Sequence, residues 1–168
     1  TFNLSALEAG NYLGEISDRC ASPFEMFSEK ESRLLGDAKI VGGEEVQDKS
    51  SWPWIGLIGQ SCSVSLIAAD IGITAAHCCA NPTLMSQSVT FGDLSRNGMT
   101  QAKMIKRHVI HPDFFADDFD FDVCLLFFQE PVDYDDNTGS VCLTEQDEPL
   151  PPVGEPVFIA GWGLVEES

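Results

Sequence analysis

Short apolar runs separated by turn-forming residues recur along most of this chain, and they constrain its fold more than any other feature. Many are rich in β-branched and aromatic side chains, and Gly56, Gly72, Gly92 and Pro112 punctuate the series. No long amphipathic helical pattern and no solenoid-type repeat accompanies them. The pattern therefore predicts an all-β sandwich or barrel. We expect strands at Trp54–Ile58, Ser63–Ile67, Ile71–Thr74, Val89–Phe91, Met104–Ile110 and Val123–Phe128, and a last strand and turn at Val157–Gly163.

The first 39 residues differ in kind from those that follow. They show no sustained hydrophobic period and include a charged stretch at Ser28–Arg33, which indicates a peptide tail held by Cys20. The junction Lys39–Gly43 then joins a basic residue to two β-branched residues and two glycines. It is either a strand entering a turn or a proteolytic cleavage site. We therefore divide the chain into a propeptide-like segment, residues 1–39, and a folded domain, residues 40–168.

The charge of the chain is strongly negative and unevenly distributed. Its formal net charge is -18, and no Lys or Arg follows Arg107 although fifteen acidic residues do. Such a surface excludes nucleic acid as a partner and favours cationic substrates or partners through electrostatic steering. The alternative is a solvated acidic surface that keeps the protein in solution. No apolar run is long enough to cross a bilayer, so we expect no membrane partner.

The chain contains six cysteines, at positions 20, 62, 78, 79, 124 and 142. Their spacing matches no C-x-x-C zinc motif, and an even count in a loop-rich chain predicts three disulfides. Disulfides form in oxidising compartments, which predicts an extracellular, secreted protein. The glycosylation sequon that begins at Asn3 agrees with secretion.

The pentapeptide Thr74–Cys78 places a histidine and a cysteine directly after three small residues. Small residues let the backbone pack closely behind the imidazole of His77 and fix its direction. His77 is then either a core histidine beside a structural cysteine or a catalytic base. Asp122 directly precedes an apolar strand, where a carboxylate needs a partner for its charge. A histidine paired with an aspartate is held in one tautomer and can act as a general base toward a nucleophile.

These features occur in an order that resembles one protein family. The chain is similar to secreted serine endopeptidases of the chymotrypsin and trypsin family over residues 39–163. The resemblance implies a chymotrypsin-like antiparallel β-barrel, the first of two, with the second truncated. It is carried by Lys39–Gly43, Trp52–Trp54, Cys62-x-x-Ser65-Leu66-Ile67, Thr74–Cys78, His111-Pro112, Asp122-Val123-x-Leu125-Leu126 and Gly161-Trp162-Gly163.

The resemblance also implies roles for individual residues. His77 corresponds to the general base and Asp122 to the acid that orients it. A trypsin-like protease, or the enzyme itself, would cut after Lys39 and free the Ile40 amine. One disulfide would join Cys62 to Cys78 at the histidine, and another would join Cys20 to Cys142 and tether the propeptide. The triad chemistry requires neither a metal ion nor a cofactor. The alternative of a calcium site in the loop Gly92–Gln101 is not favoured, because that loop holds Asp93 and few other acids.

Several departures from the family pattern carry their own expectations. Ser63 and Val64 replace two glycines common after the first cysteine, which would place side chains near the active-site floor. Cys79 and Cys124 each lie two residues after a triad candidate, which suggests a third disulfide; the alternative is that Cys124 is a small buried hydrophobe.

The largest departure concerns the nucleophile. No Gly-Asp-Ser-Gly-Gly motif occurs in the chain, so its serine would lie in a missing C-terminal half. The protein is then a protease zymogen that hydrolyses peptide bonds, its substrates proteins or peptides with basic character, while this chain alone is inactive. The alternatives are a non-catalytic protease homologue that binds a partner and a truncated decoy.

Overall fold

A computed structural model describes residues 45–59, 61–144 and 158–162, together with the backbone of residues 20–21. These residues form mainly strands, with one short α-helix and two short 3₁₀ helices, Lys49–Ser51 and Leu84–Ser86. The helix α1 is Ala76–Cys79. The strands are β1 Cys20–Ala21, β2 Ile55–Ile58, β3 Cys62–Ala68, β4 Ile71–Thr74, β5 Ser88–Phe91, β6 Gln101–Ile110, β7 Cys124–Phe128 and β8 Ser140–Val141.

Six of these strands close into a barrel in the order β2-β3-β4-β7-β6-β5. Every neighbouring pair is antiparallel, and β2 closes the barrel by pairing with β5, with Leu57 opposite Thr90. The fold class expected from the sequence, an all-β antiparallel barrel, is confirmed. Six of the seven expected strands are present with ends shifted by at most three residues.

The interior of the barrel is filled by apolar side chains, which alternate with less buried ones along β4 and β5, whereas β2 and most of β7 are buried throughout. Fully buried aliphatic and aromatic residues from different strands meet there, including Leu66, Phe91, Ile105 and Leu126. The Phe91 and Phe128 rings contact edge to face, with centroids 6.0 Å apart. Burial of this apolar surface is the main source of the barrel's stability.

Two segments depart from the expected pattern. The sequence predicts a strand and turn at Val157–Gly163: the strand is wrong for its described part, since residues 158–160 are irregular, while the bend at Gly161–Trp162 agrees with the turn. Phe158 and Ile159 are exposed, whereas Ala160 and Trp162 are partly buried and pack against the core. Outside the barrel, β1 pairs in parallel with β8, with Cys20 opposite Ser140.

Candidate active site

His77 lies on the short helix α1, which begins two residues after β4 ends. Ala75 is extended, and Ala76 is completely buried in the core, where a larger side chain has no room. The small residues before the histidine therefore seat the start of α1 against the barrel. The His77 side chain points outward and is 51% exposed. The alternative that His77 is a core histidine is wrong.

Asp122 holds His77 through two hydrogen bonds. Its Oδ2 lies 2.7 Å from His77 Nδ1, and its Oδ1 accepts a hydrogen bond of 2.8 Å from the His77 backbone N–H. The first turn of a helix has unpaired N–H groups, and the helix-capping residue Ala75 has no side-chain acceptor to offer them. Asp122, which lies just before the neighbouring strand β7, caps α1 while it fixes the imidazole, so ring and helix are positioned by one carboxylate.

The surroundings of Asp122 keep it ionised. Partial burial raises the pKa of its carboxyl, but the hydrogen bonds from the His77 amide and ring, the imidazole charge and the Ala76 amide outweigh that effect. The net result is a pKa below the ordinary value. An ionised Asp122 accepts a hydrogen bond from the Nδ1–H of His77, which leaves Nε2 as the basic nitrogen.

The Nε2 edge of His77 faces a disulfide sulfur and solvent. Cys78 Sγ lies 3.5 Å from Nε2, and a sulfur in a disulfide is only a weak hydrogen-bond acceptor. Cys62, His77 and Cys78 bring three potential metal-binding atoms within 4.8 Å of one another. Because the two sulfurs are bonded to each other, neither is a thiolate that could bind a metal. The arrangement suits a base that receives a proton from an incoming nucleophile.

Two disulfides anchor the histidine-bearing helix on either side. Cys62 in β3 bonds to Cys78, and Cys79 bonds to Cys124 in β7, with Cα atoms 6.3 and 6.5 Å apart. Strands β3 and β7 are the two barrel neighbours of β4. Helix α1, which follows β4, is therefore covalently linked to both β3 and β7. The alternative that Cys124 is an unpaired hydrophobe is wrong.

A loop rich in aromatic and acidic residues borders the imidazole. Phe119 lies edge-on to the His77 ring with centroids 5.6 Å apart and is itself 58% exposed. Phe119 and Phe121 have φ angles of 55° and 53°, a left-handed conformation that is unusual for a bulky residue. Phe121 stacks on the buried ring of His111, with centroids 4.8 Å apart. The sequence analysis missed Phe119; its signal was an aromatic residue in a hydrophilic loop three residues before Asp122.

In the described part of the chain, Asp122 is the one acid of this loop that hydrogen-bonds to the imidazole. Asp113, Asp117, Asp118 and Asp120 are exposed. Strand β7 begins two residues after Asp122 and pairs with β4. Because this pairing fixes the Asp122 backbone beside β4, Asp122 is the acid that reaches His77. The other acids add negative charge around the outer face of the site.

The remaining predicted residues fall partly outside the description. Asn3, Lys39 and Ile40 lie outside the described residues. Cys142 is disulfide-bonded, and the backbone of Cys20 pairs beside Ser140. The side chain of Cys20 is not described, so the Cys20–Cys142 bond stays a prediction.

The structure corrects one expectation about the replaced glycines. Val64 does not face the site: it is buried in the barrel core, and a Cβ placed on Gly72 would come within 2.6 Å of it. Gly72 therefore provides the space that Val64 fills. Ser63 is exposed, and its carbonyl accepts a hydrogen bond of 2.7 Å from the buried Thr74 hydroxyl, which ties the end of β4 to β3.

Comparison with known proteins identifies the family. The model of the Trypsin family matches residues 40–168, and the chain belongs to this family. It is 31% identical over 140 residues to Transmembrane protease serine 5 of Homo sapiens, a match that covers 78% of this chain and 30% of that protein. It is 29% identical over 142 residues to Vitellin-degrading protease of Bombyx mori, covering 82% of this chain and 53% of that protein.

A further relative is the Suppressor of tumorigenicity 14 protein homolog of Bos taurus, 30% identical over 146 residues, with 78% of this chain and 17% of that protein covered. The chain thus spans between about a sixth and about half the length of these three relatives. Two of these three relatives are named as proteases. Among the described residues, none of the helices has the length and apolar character that crossing a bilayer requires.

Proposed function

We propose that this chain carries the base and the orienting acid of a serine endopeptidase. The observation that carries the proposal is the 2.7 Å contact between His77 Nδ1 and Asp122 Oδ2, on an imidazole whose Nε2 side is open to solvent. In this arrangement Nε2 accepts the proton of a serine hydroxyl as the oxygen attacks a peptide carbonyl. It then gives that proton to the leaving amine, and Asp122 stabilises the imidazolium between the two steps.

The nucleophile would come from outside these residues. Ser63 and Ser65 lack a Gly-Asp-Ser-Gly context, and no such motif occurs in residues 1–168. We place the serine and its oxyanion hole in sequence that follows Ser168, in a second barrel that meets the first at His77. The relatives are longer than this chain, which is consistent with that placement.

We further propose that the protein is made as a secreted zymogen. Cleavage after Lys39 by a protease of trypsin-like specificity would free the Ile40 amine, and the family match begins at that residue. Two disulfides in the described residues, one of them beside the imidazole, fit an oxidising extracellular environment. A bond between Cys20 and Cys142 would keep the cleaved segment attached.

The substrates we propose are proteins or peptides with basic residues near the cleaved bond. A substrate carbonyl within reach of His77 must lie close to the exposed Phe119 ring. The exposed residues Asp117, Asp118 and Asp120 are sequence neighbours of Phe119 in the same loop. An aromatic face with carboxylates beside it favours a lysine or arginine side chain through cation–π and Coulomb attraction.

Active-site labelling tests the enzymatic proposal. The protein encoded by the full-length transcript is expressed, cleaved after Lys39, and treated with a fluorophosphonate probe that reacts with activated serines. We expect stoichiometric labelling that the variant His77→Ala abolishes. Absence of labelling after verified cleavage at Lys39 would overturn the proposal that the protein is an enzyme. It would favour a non-catalytic homologue that binds a partner.

A further inference from the structure

The loop between β5 and β6, residues 92–100, presents an arginine at its tip. Ser95, Arg96, Asn97 and Gly98 are all exposed and lie in a turn outside the strands. The other basic residues in the described part of the mature domain are placed differently. Lys49 is buried. The remaining cations, Lys103, Lys106 and Arg107, lie in β6, which pairs with β5 over its first half and with β7 over its second half.

We propose that the Arg96–Asn97 peptide bond is a processing site for an endopeptidase that cleaves after basic residues. Such enzymes bind their substrate as an extended segment, so a bond within a paired strand is cut only when the strand opens. Opening a surface loop requires far less free energy than opening a strand of the barrel. Arg96 is thus the basic residue of the described domain whose peptide bond is reached without unfolding the barrel.

The loop is held by internal hydrogen bonds and by others to the segment around Trp162. The Ser95 N–H donates to Asp93 Oδ1 at 2.6 Å, and the Asn97 N–H donates to Ser95 Oγ at 3.4 Å. The Gly98 N–H donates to the Ser95 carbonyl at 3.0 Å. The Arg96 guanidinium donates to the Trp162 carbonyl, and the Trp162 indole N–H donates to the Leu94 carbonyl at 2.6 Å. A protease must draw Arg96 away from Trp162 to accept its side chain. The segment around Trp162 therefore restricts access of a protease to the Arg96–Asn97 bond.

A cut at this bond separates the two residues of the proposed catalytic pair onto different chains. Water adds across the amide, the C–N bond breaks, and Arg96 gains a carboxylate while Asn97 gains an amine. His77 stays on the first fragment and Asp122 on the second. The Cys79–Cys124 disulfide bridges the cut beside both residues. Cleavage consequently yields a two-chain form in which the His77–Asp122 contact is kept.

Limited proteolysis of the oxidised chain with a low ratio of trypsin tests this proposal independently of catalysis by the protein itself. We expect a fragment that begins at Asn97, identified by its mass after reduction. Cleavage after Lys106 or Arg107 should be at least about a hundredfold slower, because it requires β6 to open. Without reduction, the Asn97 fragment should remain joined to the fragment that carries His77.

Two matched variants make the test specific. Arg96→Gln should remove the Asn97 fragment, whereas Lys106→Gln, which removes a charge from the neighbouring strand, should leave its rate of formation unchanged. Trp162→Ala should increase that rate, since the Leu94 carbonyl loses its hydrogen bond from the indole, although the backbone carbonyl that accepts from Arg96 remains. The proposal is overturned if β6 is cut as fast as Arg96, or if the fragments separate without a reductant.

Discussion

The two carboxylate oxygens of Asp122 accept different hydrogen bonds, and a replacement of Asp122 affects each of them separately. One oxygen accepts from the imidazole and the other from the backbone of α1. The amide of an asparagine can still accept from the His77 backbone N–H. Its other end, however, is an NH₂ donor that faces Nδ1, so the imidazole must place its own proton on Nε2. The ring is then held in place in the wrong tautomer.

For that reason, Asp122→Asn in the full-length activated protein is expected to lower kcat/KM by roughly 10⁴-fold with little loss of fold stability. Hydrolysis of a peptide substrate and thermal unfolding measure the two effects. Asp113→Asn removes an equal charge from the exposed part of the same loop and should leave kcat/KM within about twofold of the wild type. If Asp122→Asn retained a tenth of the activity, Asp122 would not be the orienting acid.

Lys49 is a buried cation whose protonation opposes folding. Its side chain is 6% exposed, and its ammonium donates to the Trp52 carbonyl. Burial lowers its pKa to about 8, although the charges of Asp135 and Asp93 partly counteract the effect. Since the unfolded chain binds this proton up to a higher pH than the folded one, stability rises as pH increases from about 8 to 10.5.

The variant Lys49→Met isolates that contribution. The free energy of unfolding of the wild type, measured relative to Lys49→Met in urea, should increase by about 3 kcal/mol between pH 7 and pH 10.5. The comparison cancels other groups that titrate in the same range. A difference between the two proteins that does not change with pH would show that the Lys49 ammonium is not desolvated in the folded state.

At the scale of the element, the closure of the barrel depends on the close approach of β2 to β5. A Cβ on Gly56 would lie 2.5 Å from two ring carbons of Phe91 and 2.6 Å from the Thr90 carbonyl oxygen. Phe91 is completely buried and cannot move aside, and the backbone of β5 is fixed by its pairing with β6. Gly56 is thus needed for its lack of a side chain.

We expect Gly56→Ala to lower the free energy of unfolding by about 1–3 kcal/mol, as overpacking of a barrel core does. Gly139→Ala is a suitable control, since its Cβ would meet Pro53 at an ordinary contact distance of 3.8 Å. Urea unfolding monitored by tryptophan fluorescence gives both values. Equal stability of the two variants would contradict the tight β2–β5 contact.

The strands were predictable from sequence because their signals are local. Apolar runs bounded by glycine or proline mark each barrel strand, and burial reinforces the same alternation. The helix α1 was not predicted, since four residues give no helical period and its first turn is capped by Asp122 from a distant loop. The apolar run at Val157–Gly163 has the composition of a strand, but its described residues form no strand and pair with none. Composition alone therefore does not predict pairing.

For the molecule as a whole, the site could be predicted where residue types allow few partners. His77 and Asp122 were found because a carboxylate before a buried strand needs a cation or donor. The sequence did not place three other residues correctly. The position of Val64 depends on space left by a glycine, Lys49 is a normally exposed residue type that is buried here, and the position of Phe119 depends on loop conformation. These properties arise only when distant segments pack together.

The Cys79–Cys124 bond is expected to stabilise the whole barrel. It closes a loop of 45 residues, for which the chain-entropy model gives about 4 kcal/mol, against about 3 kcal/mol for the 16-residue separation of Cys62 and Cys78. The double variant Cys79→Ala/Cys124→Ala should therefore unfold at lower urea than Cys62→Ala/Cys78→Ala. The reverse order would show that packing around Cys78 outweighs chain entropy.

The adjacent position of Cys78 and Cys79 also has a consequence for how the molecule is made. Both cysteines lie on α1, with partners on opposite flanks of β4. Oxidative folding must choose between them, and an isomer with Cys62 joined to Cys79 and Cys78 to Cys124 would have the same mass and the same number of bonds. Neighbouring helical positions differ by about 100° around the helix axis. Such an isomer would turn His77 away from Asp122, so the yield of competent protein depends on disulfide shuffling during biosynthesis.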